Sequence, residues 1–295
     1  MAMNHINARL IPLPQPVNII QNSFESKQSH PHLNMLALHQ FQSVKSYEIC
    51  SIHRLTLISH VSSLIRETDR TTTFSIHTTR ANDDGTVSTI QIELIQAAET
   101  KSTVLLFELP HLPASNTPLF KEIQKLLNTI FHQSKKFVIW SNKNRKDLDA
   151  FTLYEFLPKK IFEVSNIIEL QESFKQWYNQ TFKHDKHCSV PSYYKTDAVC
   201  CTCPYRPYKN MNDKWSLEKA INCVFNEFIV QSNQNNRNYL RDIHHSVCYC
   251  LAITKLSMII ELDWTIEQLY QYKKFHQGIS NTLTNSSNFI DFPLE

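Results

Sequence analysis

The sequence predicts an α/β protein with three layers, in which a mixed sheet of five strands carries helices on both faces. Segments typical of strands alternate with amphipathic helical segments through roughly the first 180 residues. The turn-like residues 82–85 connect the first two strands directly, which only antiparallel neighbours allow. Helical segments separate the later strands and favour parallel pairing, so the sheet is expected to be mixed.

The individual elements follow from the spacing of apolar residues. Strand-like composition occurs in residues 72–79, 88–97, 103–108, 137–140 and 161–164. Helix-like spacing occurs in residues 47–67, 118–130, 147–157, 170–178, 216–229 and 243–262. The strands at residues 103–107 and 137–140 are almost continuously apolar, so they are expected at the centre of the sheet.

Composition excludes several classes of enzyme. The chain has 295 residues and a net charge of +3, so its overall charge demands neither a nucleic-acid nor a membrane partner. It contains only 2 glycines, Gly85 and Gly278. A P-loop, a dinucleotide-binding loop and a Gly-X-Ser-X-Gly nucleophile elbow each need several glycines in one short segment, and all three are therefore excluded.

Three regions are predicted along the chain. Residues 1–46 have no sustained apolar pattern and are expected to form a poorly ordered tail. Residues 47–262 form the folded domain, which includes a long cysteine-rich loop at residues 184–213, and residues 263–295 form a C-terminal helix and tail. No secretory signal and no apolar run of about 20 residues is evident, so we expect an intracellular protein, nuclear or cytoplasmic, with no membrane partner.

Short motifs occur in an order known from one family. Phe74-Ser75-Ile76 lies in the first strand, Asp147-Leu148 follows the fourth strand, and Trp215-Ser216-Leu217 begins a helix. The segment from His245 to Ala252 lies in the last long helix. Over about residues 47–261 this order resembles the ribonuclease H-like 3′–5′ exonucleases, the DEDD group. The resemblance implies a ribonuclease H-like fold in which four acids hold two divalent metal ions.

The acids that the family uses are mostly replaced. The family's Asp-X-Glu matches His77 and Thr79, its Tyr-X-X-X-Asp matches His245 and Tyr249, and only Asp147 remains an acid in register. Mg²⁺ and Mn²⁺ are hard ions that need several oxygen ligands, and one carboxylate cannot hold two of them. The resemblance thus implies a nucleic-acid-binding pseudoenzyme with lost or weak hydrolysis, and no cofactor, with Mg²⁺ or Mn²⁺ expected only if activity is retained.

Two alternatives remain open from sequence. The first is an active metal-dependent 3′–5′ exonuclease with rearranged acids, for which Asp242 is the strongest replacement candidate because it shares a helical face with His245. The second is a non-catalytic scaffold for protein interactions, since common folds serve many functions. The sequence identifies no particular protein partner.

Basic and aromatic residues alternate in two segments that suit single-stranded DNA or RNA. Such ligands use cations for the backbone and aromatic rings for base stacking, although a solvated helix face explains the first segment equally well. The candidate nucleic-acid-binding residues are Lys143, Arg145, Lys146, Arg206 and Lys209.

Cysteines and histidines cluster between residues 184 and 203. The weak candidates for metal ligands are His184, His187, Cys200 and Cys203. Zinc would crosslink a segment that is predicted to have no regular structure. However, Cys-Cys-X-Cys lacks the paired Cys-X-X-Cys arms of a zinc knuckle. Reduced cysteines packing as small apolar groups are the alternative, and no metal is predicted.

Overall fold

The computed structural model describes residues 38–81, 85–184, 188, 201, 203, 206–208, 213–230 and 239–276. Its strands are β1 (His39–Gln40), β2 (Ser46–Ile52), β3 (Thr73–Arg80), β4 (Val87–Ile95), β5 (Lys101–Glu108), β6 (Lys136–Ile139), β7 (Asn166–Glu169) and β8 (Glu227–Phe228). Its α-helices are α1 (Ile58–Arg70), α2 (Pro118–Ile130), α3 (Asn142–Asp147), α4 (Ala150–Leu153), α5 (Lys160–Val164), α6 (Leu170–Thr181), α7 (Leu217–Phe225), α8 (Tyr239–Glu261) and α9 (Ile266–His276).

The main sheet is mixed and has six strands in the order β2-β5-β4-β3-β6-β7. Strand β4 runs antiparallel to both of its neighbours, β3 and β5, and the remaining pairs are parallel. Because β3 and β6 are parallel, the segments that follow them leave from the same edge of the sheet. This edge places α3, which begins shortly after β6, beside the end of β3.

Two apolar cores, one on each face of the sheet, follow from the alternation of side chains along the strands. Phe74 and Ile76 of β3 pack with α1 and α2 in the first core. Val138 of β6 and Val104 of β5 pack with α6, α7 and α8 in the second core. The predicted three-layer architecture with a mixed sheet and helices on both faces is therefore confirmed.

Several details of the predicted sheet are wrong. The sheet has six strands rather than five, because residues 46–52 form β2 instead of the start of a helix over 47–67. Residues 161–164 lie in helix α5, and the strand predicted there is formed by Asn166–Glu169. Strands β3 and β4 are central, whereas β5 and β6 each lie one strand in from an edge.

The predicted N-terminal tail is wrong for residues 38–46, and residues 1–37 lie outside the described part of the chain. Strand β1 pairs in parallel with β8, and Phe41 is buried in the second core. The backbone nitrogen of Gln42 donates a hydrogen bond to the Glu227 carboxylate at 3.3 Å. Long-range contacts thus fasten this segment to the domain.

A buried ion pair joins β8 to helix α8 and also binds the N-terminal segment through a backbone carbonyl. The Lys255 ammonium lies 2.8 Å from both carboxylate oxygens of Glu227 and donates to the Gln42 carbonyl at 2.9 Å. The side chains of Lys255 and Glu227 are 0% and 3% exposed. The ammonium also lies 4.3 Å from the centre of the Phe225 ring, a cation–π contact.

Helix α8 is the one element in the described residues with the length and apolar composition of a membrane span. Asp242–Glu261 covers 20 residues with a mean hydropathy of 1.4, so the expectation that no apolar run approaches this length does not hold. The helix packs against β3 and β4 inside the domain, with 61% of the apolar window buried, and it carries the buried Lys255. These contacts are those of a core helix.

Candidate functional site

The candidate site lies where the second half of β3 meets α8. Along β3, side chains alternate between the two faces of the sheet, so Ser75, His77 and Thr79 share the face that α8 covers. The Ser75 hydroxyl donates to the Cys250 carbonyl of α8 at 3.2 Å. This contact fixes the distance between strand and helix directly beside His77.

Polar contacts between the centre of the sheet and the middle of α8 set the orientation of this helix. The Thr254 hydroxyl lies 2.9 Å from the Ser75 hydroxyl and donates to the carboxylate of Glu93, which lies 3.1 Å from the Ser75 hydroxyl oxygen. Glu93 is 2% exposed, and burial raises the pKa of its carboxyl group. A buried polar cluster thus joins the centre of the sheet to the middle of α8.

His77, Tyr249 and His245 form a continuous group of rings, which we call the cleft triad. The His77 and Tyr249 rings stack with centroids 5.0 Å apart, and the His245 ring meets Tyr249 edge-on at 4.7 Å. The Tyr249 hydroxyl donates a hydrogen bond to Glu218 in the first turn of α7. Three elements, β3, α7 and α8, therefore converge on this group.

The triad is electrically neutral at neutral pH. Burial, followed by the nearby charge of His245, lowers the pKa of His77 to about 4, and Lys143 acts in the same direction. Burial also lowers the pKa of His245. The pKa of Tyr249 is raised, first by burial and then by its hydrogen bond to Glu218. None of these side chains supplies the negative charge that two divalent cations require.

Four buried polar atoms around the triad have no hydrogen-bond partner among the described residues. They are His77 Nδ1, Thr79 Oγ1, Gln91 Oε1 and His245 Nε2. Gln91 faces His77 directly across the β3–β4 pair, so at least two of these atoms lie on adjacent strands. Buried polar atoms are normally paired, and a local concentration of exceptions is typical of functional sites.

Asp147 is engaged by two partners on the other side of β3 and still acts electrostatically on His77. Its carboxylate accepts from the Thr78 hydroxyl at 2.6 Å and forms an ion pair with Arg80. Thr78 points to the opposite side of β3 from His77 and Thr79. Asp147 is 3% exposed and ends α3, so the interpretation of Asp147 as an acid at the start of a helix over residues 147–157 is wrong.

The structure separates the predicted nucleic-acid-binding residues into three groups. Lys143 and Lys146 are exposed on α3, and Lys143 is close enough to His77 to act on its pKa, while Arg145 is half-buried and donates to the Phe162 carbonyl at 3.2 Å. Arg206 is buried and binds the Asn179 side chain and carbonyl, so it is not available to a phosphate. Lys209 lies outside the described residues.

No three metal-type ligands in the described part of the chain converge at the cleft. A group of that kind occurs elsewhere and contains His184, Cys188, Cys201 and Cys203. Of the predicted metal candidates, His184 and Cys203 therefore belong to it, whereas His187 and Cys200 lie outside the described residues. The sequence interpretation also missed Glu218, whose position in the first turn of a helix is the only local signal it carries.

Several solved structures with a similar fold are exonuclease domains or RNase D by name. The Nibbler EXO domain of Aedes aegypti has 13% identity and a TM-score of 0.45, over 79% of this chain and 100% of that chain. RNase D of Trypanosoma brucei has 11% identity and a TM-score of 0.40, over 78% and 73%. The EXD2 exonuclease domain has 14% identity and a TM-score of 0.35, over 80% and 98%.

Among the similar structures, one RNase D structure contains RNA U12, and one EXD2 domain was soaked in Mn and Mg. No family model and no curated protein matches this sequence. At these identities and TM-scores the likeness concerns fold alone, and it assigns neither an activity nor a site residue to this chain.

Proposed function

We propose that this protein binds single-stranded nucleic acid at the cleft between β3, α3 and α8 and does not hydrolyse it by a two-metal mechanism. The observation that carries the proposal is the neutral cleft triad beside the exposed Lys143 and Lys146. A nuclease site of this kind concentrates negative charge. This cleft instead presents neutral rings and ammonium groups.

Two of the acids near the site are already engaged, and a third, Asp242, is exposed on α8 close enough to His245 to act on its pKa. Asp147 is bound to Arg80 and Thr78, and Glu218 accepts a hydrogen bond from the Tyr249 hydroxyl. Binding Mg²⁺ or Mn²⁺ would require both acids to leave these partners, and the two would still provide fewer ligands than a pair of cations needs. The active-exonuclease alternative therefore requires a rearrangement of the site.

The basic residues suit a phosphate backbone. Lys143 lies close enough to the triad for its charge to disfavour protonation of His77. Lys146 is exposed one helical turn further along α3. The half-buried rings of His77, His245 and Tyr249 offer aromatic faces on which a base would stack. The site thus combines the backbone and base contacts that a single strand requires.

Binding and cleavage can be measured in the same samples. Fluorescently labelled single-stranded RNA and DNA are titrated with the protein in Mg²⁺, in Mn²⁺ and in chelator, and fluorescence anisotropy is followed by gel analysis of the oligonucleotides. We expect binding that chelator does not change and no shortening of either strand. Lys143→Ala/Lys146→Ala should lower the slope of log K against log salt by about 1.4, since each phosphate contact contributes about 0.7 on single strands.

A matched control removes the same charge from the opposite face of the sheet. Lys121 and Lys125 are exposed on α2, so Lys121→Ala/Lys125→Ala should leave both affinity and salt slope unchanged. Cleavage that needs Mn²⁺ or Mg²⁺ and disappears in Asp147→Asn would overturn the proposal in favour of an exonuclease. Absence of binding to both RNA and DNA would instead favour the protein-interaction scaffold.

A further inference from the structure

A separate cluster of cysteines and histidine lies in the segment between α6 and α7. His184 follows the end of α6 by three residues, and Cys188, Cys201 and Cys203 come later in the same segment. Cys201 and Cys203 are 4% and 3% exposed, while His184 and Cys188 are half-buried. The three cysteines form a small cluster of their own, apart from the two apolar cores.

Four potential ligand atoms of this cluster lie around one point. His184 Nδ1 is 3.5 Å from the Cys188 sulfur and 3.4 Å from the sulfurs of Cys201 and Cys203. The Cys188 and Cys201 sulfurs are 3.8 Å apart, and all four ligand atoms lie within 4.8 Å of one another. A disulfide between Cys188 and Cys201 would need about 2.05 Å, so these sulfurs are not bonded to each other.

The spacing of these atoms fits a tetrahedral zinc ion. Zn²⁺ binds sulfur at about 2.3 Å and imidazole nitrogen at about 2.0–2.1 Å, which places tetrahedral ligands about 3.8 Å (sulfur to sulfur) and about 3.5 Å (nitrogen to sulfur) apart. The four distances given above agree with these values to within 0.2 Å. Three thiolates and one imidazole also form a closed set, as structural zinc sites do.

We propose that His184, Cys188, Cys201 and Cys203 bind one structural Zn²⁺ ion. The ion would join the end of α6 to the chain that leads into α7. A second anchor supports this arrangement, because the Arg206 backbone nitrogen donates to the Cys203 carbonyl at 3.2 Å while its guanidinium binds Asn179 of α6. Both anchors hold the same loop against the same helix.

Soft thiolate ligands select the metal. Cys₃His sites favour Zn²⁺ over the hard ions Mg²⁺ and Mn²⁺, which prefer oxygen. The site is therefore chemically unrelated to the two-metal chemistry of nucleases. Binding requires deprotonated thiols, so affinity for zinc is expected to fall as pH is lowered.

The test measures metal content in the full-length chain purified under reducing conditions without chelator. Elemental analysis should find about one zinc ion per chain, the number that a single four-ligand site holds. Cys201→Ser/Cys203→Ser should lose this zinc, whereas Cys223→Ser, which changes a half-buried cysteine in α7, should keep it. Circular dichroism of each variant checks that its secondary structure is retained.

Cobalt substitution tests the ligand set independently of zinc retention. Co²⁺ added to the metal-free chain should produce the visible bands of a tetrahedral ion together with thiolate-to-cobalt charge transfer, and zinc should displace it. His184→Cys should replace the imidazole by a fourth thiolate and so change the cobalt spectrum. His184→Ala should bind Co²⁺ more weakly. A folded chain that binds neither ion, or full zinc content in Cys201→Ser/Cys203→Ser, would overturn the proposal.

Discussion

The buried Lys255–Glu227 pair allows a quantitative prediction about stability. Lys255→Met keeps most of the volume of the side chain but leaves the Glu227 carboxylate, 3% exposed, without its cation. The remaining carboxylate must either stay charged in the core or bind a proton. Binding a proton at pH 7 costs about 3.7 kcal/mol for a carboxyl group whose unfolded pKa is about 4.3, at 1.36 kcal/mol per pH unit. This value is the upper limit on the free energy of unfolding that Lys255→Met loses through the unpaired charge.

The variant Glu227→Gln has a larger upper limit on its loss of folding stability, and this loss depends on pH in the opposite direction. Glu227→Gln leaves the Lys255 ammonium unpaired, and deprotonating it at pH 7 costs about 4.6 kcal/mol from an unfolded pKa of about 10.4. Burial lowers the pKa of Lys255 and raises that of Glu227. The loss of stability in Lys255→Met, relative to the unmodified protein, should therefore become smaller as pH falls toward 4.3. The loss in Glu227→Gln should become smaller as pH rises toward 10.4.

Urea unfolding at several pH values measures these deficits as changes in midpoint at constant slope. Lys255→Met/Glu227→Gln should be more stable at pH 7 than either single variant, because it leaves no unpaired charge in the core. A loss of stability below about 1 kcal/mol at pH 7 is typical of an exposed ion pair and would refute the buried geometry. Single-variant deficits that do not change with pH would refute the electrostatic explanation.

Two further predictions concern the candidate site. Asp147→Ala should lower the free energy of unfolding by about 1–3 kcal/mol, because Thr78 loses a buried acceptor, while Asp149→Ala should cost under about 0.5 kcal/mol in the same urea titration. The structure would be wrong at this position if the two variants were equally stable. His77 should remain neutral down to pH values near its folded pKa of about 4 in an NMR titration. Its folded pKa lies below its unfolded value, so its contribution to stability is present above about pH 6.5 and lost between 6.5 and 4. His77→Gln should remove that acid-dependent loss and His60→Gln, at an exposed position, should not.

The sequence predicts the layers of the fold better than it predicts the strands at the edges of the sheet. Segments with strong apolar character, such as residues 103–108 and 137–140, form strands as predicted, because both of their faces are buried, although neither strand is at the centre of the sheet. The three-residue spacing of Ile49, Ile52 and Leu55 predicts a helix where the structure has strand β2, because a short edge strand has too few residues to establish its own period. The pairing partner β5, not local propensity, makes it a strand.

One long-range contact around the candidate site follows from the order of the motifs, and the other contacts do not. The position of Tyr249 against His77 agrees with the alignment of the two motifs, and this contact joins residues 172 positions apart in the chain. The side of β3 on which Asp147 lies could not be predicted, because it depends on the ion pair with Arg80. Likewise, the spacing of Cys188, Cys201 and Cys203 matches no familiar zinc motif, and only the three-dimensional structure places their sulfurs within 4.8 Å of one another.

The polar cluster of Glu93, Ser75 and Thr254 has a consequence for how the cleft can change. Helix α8 is apolar around most of its circumference, so hydrophobic packing alone would accept it at several rotations. Hydrogen bonds to Glu93 select one of them, and Tyr249 lies only five residues before Thr254 on the same rigid helix. An insertion of one residue between them would turn Tyr249 about 100° away from His77, at 3.6 residues per turn, while leaving the core composition intact. The angular register of one helix thus decides whether this fold has a cleft triad.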